Sequence, residues 1–134
     1  METRKITVLI VDDDEDYLFQ TTARLRADGF EVLEANGEEA GLEAVERGGY
    51  DVAVFDLMMD HMDSGFILCH RAKRVHPDKP VLLVTGVAGE TGMEFDAATR
   101  EERSWVKADA LLPKPVRYEQ VRGEIERLCQ GTAG

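Results

Sequence analysis

The stretch Val52-Ala53-Val54-Phe55-Asp56 constrains this chain more than any other. It is apolar without alternation and ends on a carboxylate. A short β-branched and aromatic run of this kind predicts a strand buried on both faces, which is the signature of a parallel sheet covered by helices. Asp51 precedes it and Asp56 closes it. In open α/β sheets, ligands bind beyond the C-terminal ends of the strands. The first question is therefore whether Asp56 is a reactive carboxylate or a loop acid.

The rest of the chain repeats the same unit. Lys5 to Val11 reads as a strand and stops at Asp12-Asp13-Asp14-Glu15-Asp16, acids that suit the positive end of a helix. Leu18, Thr22 and Leu25 recur at helical spacing, and Asp28-Gly29 ends that helix. Phe30 to Ala35 reads as a second strand. Asn36 is placed to cap a second helix whose apolar face is Ala40, Ala44 and Val45, ended by Gly48-Gly49. After the Asp56 strand, Ser64 or Gly65 opens a third helix with Leu68, Ala72 and Val75 on one face, stopped at His76-Pro77. Pro80 to Thr85 is a fourth strand, followed by the Gly-rich loop 86–92. Residues 100–107 read as a thin-faced helix, Ala110 to Leu112 as a fifth strand, and Tyr118, Val121, Ile125 and Leu128 mark the last helix. Strands alternating with helices predict a doubly wound α/β fold with a parallel sheet and right-handed crossovers. The expected strand order is 2-1-3-4-5, the flavodoxin-like (βα)5 arrangement.

That topology gathers Asp12, Asp13 and Asp56 at one crevice, with Thr85 and Lys114 on neighbouring strands. Three carboxylates in one place repel one another, and a divalent cation removes the conflict. Hard oxygen ligands suit Mg2+. A carboxylate beside such an ion can attack a phosphoryl group, with Lys114, Thr85 and the amides after Thr85 answering the charge on the phosphoryl oxygens. The net charge of -11, from 16 basic and 27 acidic residues, argues against nucleic acid as a direct partner. Cys69 and Cys129 form no metal-binding pattern and read as reduced thiols, so the expected location is cytoplasmic, with no signal peptide and no span long enough for a membrane.

Five motifs, Val11-Asp12-Asp13, Phe55-Asp56-Leu57-Met58-Met59, Met62-Asp63, Val84-Thr85-Gly86 and Pro113-Lys114-Pro115, stand in order at strand ends. In this the chain resembles the receiver domains of two-component response regulators, over essentially its whole length. The resemblance implies a single receiver domain over residues 1–134, with residues 131–134 a short tail and no output domain. It implies Asp56 as phosphoacceptor, with Thr85 and Lys114 contacting the phosphoryl group. It implies Mg2+ held by Asp12, Asp13, Asp56 and the Met58 backbone carbonyl, and a cis bond between Lys114 and Pro115. A sensor histidine kinase or phosphotransferase would supply the phosphoryl group, and a downstream effector protein would read the switch. Such a domain is not an enzyme beyond its own phosphorylation and dephosphorylation. Some positions depart from the family pattern. Asp60 stands at a usual Pro, His61 and Ser64 at usual Gly positions, and Leu111 at the switch aromatic. The stretch between Thr85 and Lys114 is also longer than usual by about two helical turns. The Leu111 departure supports an alternative, a pseudo-receiver that binds partners without phosphorylation. A Mg2+-dependent phosphohydrolase is a third reading, weakened by Met58 where a second acid is needed. Asp14 reads as a surface acid of the first turn, His61, His70 and His76 as surface residues, Trp105 as a packing residue and Cys69 as core filler.

Overall fold

A computed structural model describes residues 5–56, 64–85, 108–113 and 117–133 of the chain. Met58, His61, Trp105 and Lys114, the helix expected within residues 100–107 and the Lys114-Pro115 bond lie outside the described residues. Five strands, β1 (Thr7–Asp12), β2 (Glu31–Asn36), β3 (Val52–Asp56), β4 (Val81–Thr85) and β5 (Ala110–Pro113), form one parallel sheet in the order β2-β1-β3-β4-β5. The described helices are α1 (Glu15–Ala27), α2 (Glu38–Arg47), α3 (Ser64–Val75) and, at the C-terminal end, α4 (Tyr118–Ala133). The expected strand order and doubly wound architecture are what the fold has.

The strands' period of two divides the core into two layers. Val8, Ile10, Val52, Val54, Leu82 and Val84 pack in one cluster with Leu18 and Leu25 of α1 and Val121 and Ile125 of α4. Leu9, Val11, Ala53, Phe55, Val81 and Leu83 pack in the other with Val45 of α2 and Leu68 and Ala72 of α3. Every residue of β3 is buried, as its unbroken apolar run requires. Cys69 and Cys129 are both buried, one in each cluster, so the sheet stands between them.

Local chemistry sets several boundaries differently from the expectation. Asn36 does not cap α2: it ends β2 in register with Asp12, and the N-cap is Gly37 at φ 94, a left-handed conformation that favours glycine. The buried face of α2 turns on Gly41 and Val45, with Ala40 and Ala44 half-buried beside them. A Cβ at Gly41 would lie 2.7 Å from Val11 Cγ1 and 3.0 Å from Leu68 Cδ2, so only glycine lets α2 approach β1 and α3 this closely. Val75 is exposed, because α3 buries Leu68, Cys69 and Ala72 instead. His76 is half-buried rather than a surface residue. Its Nε2 lies 3.0 Å from the Val45 carbonyl oxygen, and its ring meets Tyr50 edge-on.

Two aspartates fasten the N-terminal ends of the strands. Asp51 accepts from the Thr7 amide at 2.8 Å, and Asp109 accepts from the Val81 amide at 2.8 Å while pairing with Lys73 Nζ at 2.8 Å. These bonds satisfy edge amides that no neighbouring strand reaches. The Tyr50 hydroxyl, by contrast, is buried without a hydrogen-bond partner among the described residues, and burial pushes its pKa from 10.0 to about 12.

Three outcomes follow for stability. Gly41→Ala should cost about 1 to 3 kcal/mol in urea unfolding, since the added methyl meets packed side chains. Tyr50→Phe should gain about 1 kcal/mol at neutral pH by removing a buried unpaired hydroxyl. The wild type should also lose stability as pH rises from 10 toward 12, because the unfolded phenol ionises before the folded one. Tyr50→Phe should lose less over that interval.

Candidate metal and phosphoacceptor site

Strand geometry brings the acids together. Val11 and Phe55 are register partners on adjacent parallel strands, so Asp12 and Asp56 are the next residues on each. Both fall on the alternation of Ile10 and Val54, and so project on the same side of the sheet. That side is the α1/α4 layer, just past the end of its core. Asp12 is 4 % exposed and Asp56 6 %, whereas Asp13, one residue beyond the strand, is exposed. One carboxylate oxygen from each of Asp12, Asp13 and Asp56 lies within 4.8 Å of the other two.

The backbone around them is held by its own hydrogen bonds. Asp12 Oδ1 accepts from the Asp14 amide at 3.0 Å. Asp14 is the N-cap of α1: its Oδ1 accepts from the Asp16 amide at 3.1 Å and the Tyr17 amide at 3.2 Å. A surface acid of the first turn is thus a capping residue that sets where α1 starts. The Gly37 amide donates to the Asp12 carbonyl at 3.3 Å and ties the start of α2 to the same edge. At that edge Ser64, fully buried, donates to Glu38 Oε1 at 2.7 Å. Sequence reasoning places Ser64 at the opening of the third helix and as a departure from a motif, and Glu38 in the first turn of the second helix, but does not pair the two. The signal available was a serine and a glutamate each opening a helix, with nothing to pair them.

The donor set fits a hard divalent cation. Oxygens around a Mg2+ ion at about 2.1 Å stand roughly 3 to 4 Å apart, so these three carboxylates need little contraction to share one. Their mutual repulsion in a mostly buried place favours a cation among them. Among the other expected site residues, Thr85 ends β4 with its backbone in register with Pro113, which places both at this edge of the sheet. The structure does not describe the Thr85 side chain, and Lys114 and Met58 lie outside the described residues. Leu111 is half-buried and packs against the layer under α2 and α3.

Comparison with known proteins agrees with this geometry. The family model described as response regulator receiver domain matches residues 8–126. A heme response regulator, HssR, of Staphylococcus aureus is 31% identical over 117 residues, covering 87% of this chain and 48% of that protein. The chain therefore spans about half the length of the curated relatives it matches. A CheY-like response regulator receiver domain protein from Methanospirillum hungatei superposes with a TM-score of 0.81 at 28% identity, covering 98% of this chain and all of that one. The non-phosphorylated HemR receiver domain from Leptospira biflexa does so with a TM-score of 0.78 at 26% identity, covering 93% and 94%.

Mg2+ should raise the melting temperature of this protein. At a hundredfold excess over its dissociation constant the gain should be about 2.7 kcal/mol. Asp12→Asn should abolish that gain, and should also stabilise the metal-free protein by relieving repulsion. Differential scanning calorimetry with and without Mg2+ checks both.

Proposed function

The chain belongs to the response regulator receiver domain family, and on that premise we propose that it accepts a phosphoryl group on Asp56 in a Mg2+-dependent reaction. Receiver domains are signalling domains of two-component systems rather than enzymes in the usual sense. The observation that carries the reading is the meeting of Asp12, Asp13 and Asp56 within 4.8 Å at the ends of two central strands. Asp12, Asp13 and Asp56 would hold Mg2+, with the Met58 carbonyl as a further ligand. The ion, when bound, supplies positive charge that neutralises the approaching phosphoryl oxygens.

The chain's own residues divide the work. An Asp56 oxygen forms the new O–P bond while the P–N bond of a donor phosphohistidine breaks. The leaving imidazole keeps the electron pair and takes up a proton. Burial of Asp56 excludes water that would compete as nucleophile. Lys114 and Thr85 would contact the transferred group and stabilise its added charge. The adduct is a group of roughly −2 charge at the edge of an already acidic domain. It therefore shifts a two-state equilibrium that partners read.

The donor would be a sensor histidine kinase or a phosphotransferase, and the reader a downstream effector protein. The surface beside the site suits a donor of definite chemistry. Phe19 of α1 is 74 % exposed, with Glu15 and Asp16 one turn before it. A complementary partner offers an apolar socket rimmed by Lys or Arg. The acidic balance disfavours nucleic acid, and no described helix is long and apolar enough to cross a membrane. A second reading, a partner-binding domain that needs no phosphorylation, draws on Leu111, which carries neither ring nor hydroxyl to report the switch.

Incubation with Mg2+ and acetyl phosphate, followed by intact mass measurement, separates the two. One phosphoryl adduct that is lost in Asp56→Asn is the expected result. A wild type that gains none under these conditions or with a phosphorylated histidine donor supports the second reading.

A further inference from the structure

Strand β2 lies at one edge of the sheet and, among the described residues, pairs on one side only, with β1. The Glu31 amide donates to the Ile6 carbonyl at 2.9 Å and the Gly37 amide to the Asp12 carbonyl at 3.3 Å. The odd-numbered residues between them therefore turn their backbone groups toward β1, and Val32, Glu34 and Asn36 turn theirs outward. Among the described residues, the Val32 carbonyl accepts from Arg26 Nη2 at 3.2 Å, whereas the backbone groups of Glu34 meet no partner. An open strand edge of this kind can accept a further strand.

The charges beside this edge are ordered along it. Acids complement the N-terminal end of a helix and bases its C-terminal end. α1 opens with Glu15 and Asp16 and closes with Arg24 and Arg26, and α2 opens with Glu38 and Glu39 and closes with Arg47. Arg26 and Arg47 line a groove of about 670 Å3 beside Val32 and Leu33. Glu15 and Asp16 line a second, of about 470 Å3, beside Glu34 and Asn36. One half of the edge is thus basic and the other acidic. Arg47 has no ion pair among the described residues.

A net charge of -11 opposes the meeting of two copies in general, so a pairing of copies must set unlike charges against each other. A two-fold axis through Leu33 does so. It lays two β2 strands antiparallel, with Val32 of each opposite Glu34 of the other, and turns the basic half of each edge onto the acidic half of its counterpart. Arg26 Nη1 already stands 3.9 Å from the carboxylate of its own Glu34. When the second copy's Glu34 amide takes the Val32 carbonyl, Arg26 is left facing that copy's Glu34 carboxylate. Leu33, 40 % exposed, meets its counterpart across the axis in the closer, non-hydrogen-bonded position. An axis through Glu34 would instead set two carboxylates opposite each other, and one through Val32 would bring the two Arg26 side chains together.

We propose that β2 is a self-pairing edge, through which two copies of this chain join antiparallel about an axis at Leu33 into one continuous sheet. The occupant is a second copy because the edge carries both charges in an order that complements itself. In the single chain Arg26 plugs the edge, and in the pair it changes partner.

The pairing uses no residue of the acidic cluster, so the full-length chain is tested without Mg2+ or phosphodonor, by sedimentation and by residue-resolved amide exchange. As concentration rises toward millimolar, the mass should move from monomer to dimer. Exchange at the Val32 and Glu34 amides should then slow more than at Leu33, whose amide already faces β1. Glu34→Pro removes an outward amide that the single chain does not use, and Leu33→Lys sets two cations against each other at the axis. Each should weaken dimerisation by roughly tenfold or more, while melting curves show both variants folded. Ile67→Lys, at a residue as exposed as Leu33 but on α3, should dimerise as the wild type does. A chain that stays monomeric to millimolar concentration overturns the proposal. So does a dimer that Glu34→Pro and Leu33→Lys leave intact.

Discussion

Two carboxylates end adjacent central strands on the same side of one sheet, and the rest of the structure is arranged around that conflict. Asp12 and Asp56 are both nearly inaccessible, and Asp13 completes a cluster of three oxygens within 4.8 Å. Burying like charges together is unfavourable unless something of opposite charge joins them. The two apolar layers above and below β1 and β3 hold these strands in register regardless, so the acids cannot move apart without disturbing the core. A fold that imposes such repulsion has in effect built half of a cation site, which a divalent cation would complete.

Much of this was legible in the amino-acid sequence. The unbroken apolar run of β3 required burial on both faces, and the alternation of strands and helices required a parallel sheet. The acids after Val11 and at Asp56 had to lie at strand ends, because a run of carboxylates cannot continue into a core. The errors have a common cause. Asn36 has a side chain able to cap a helix, but Gly37 can adopt φ 94 and Asn36 cannot do so as cheaply, so the strand runs one residue further. The face read for α2, Ala40, Ala44 and Val45, does pack on the core, but it omits Gly41, which carries no side chain to count although the absence of that side chain is what lets α2 pack.

Long-range polar contacts were not legible at all. Asp51 to Thr7, Asp109 to Val81 and Ser64 to Glu38 span 44, 28 and 26 residues. A buried polar group must have a partner, but its chemistry does not say which one. These contacts sit at both ends of the sheet, with different consequences. Asp51 and Asp109 fasten the N-terminal edge, away from the acids, and serve stability. The Gly37 and Ser64 contacts fasten the C-terminal edge, where the three acids meet. The same division separates Tyr50, whose unpaired hydroxyl lies at the stable end, from Asp14, whose capping bonds start α1 beside the cluster.

The central claim is that one divalent cation and one phosphoryl group share the edge formed by Asp12, Asp13 and Asp56. Two-dimensional nitrogen–proton NMR spectra, recorded as Mg2+ and then beryllium fluoride are added, test it most directly. Beryllium fluoride stands in for a phosphoryl group on a carboxylate. The predicted result is that Mg2+ shifts the amides of Asp12, Asp13 and Asp56. Beryllium fluoride should then act only with Mg2+ present, extending the shifts to Thr85 and the amides after it. Shifts centred elsewhere on the sheet, or beryllium fluoride binding that is indifferent to Mg2+, would contradict the account.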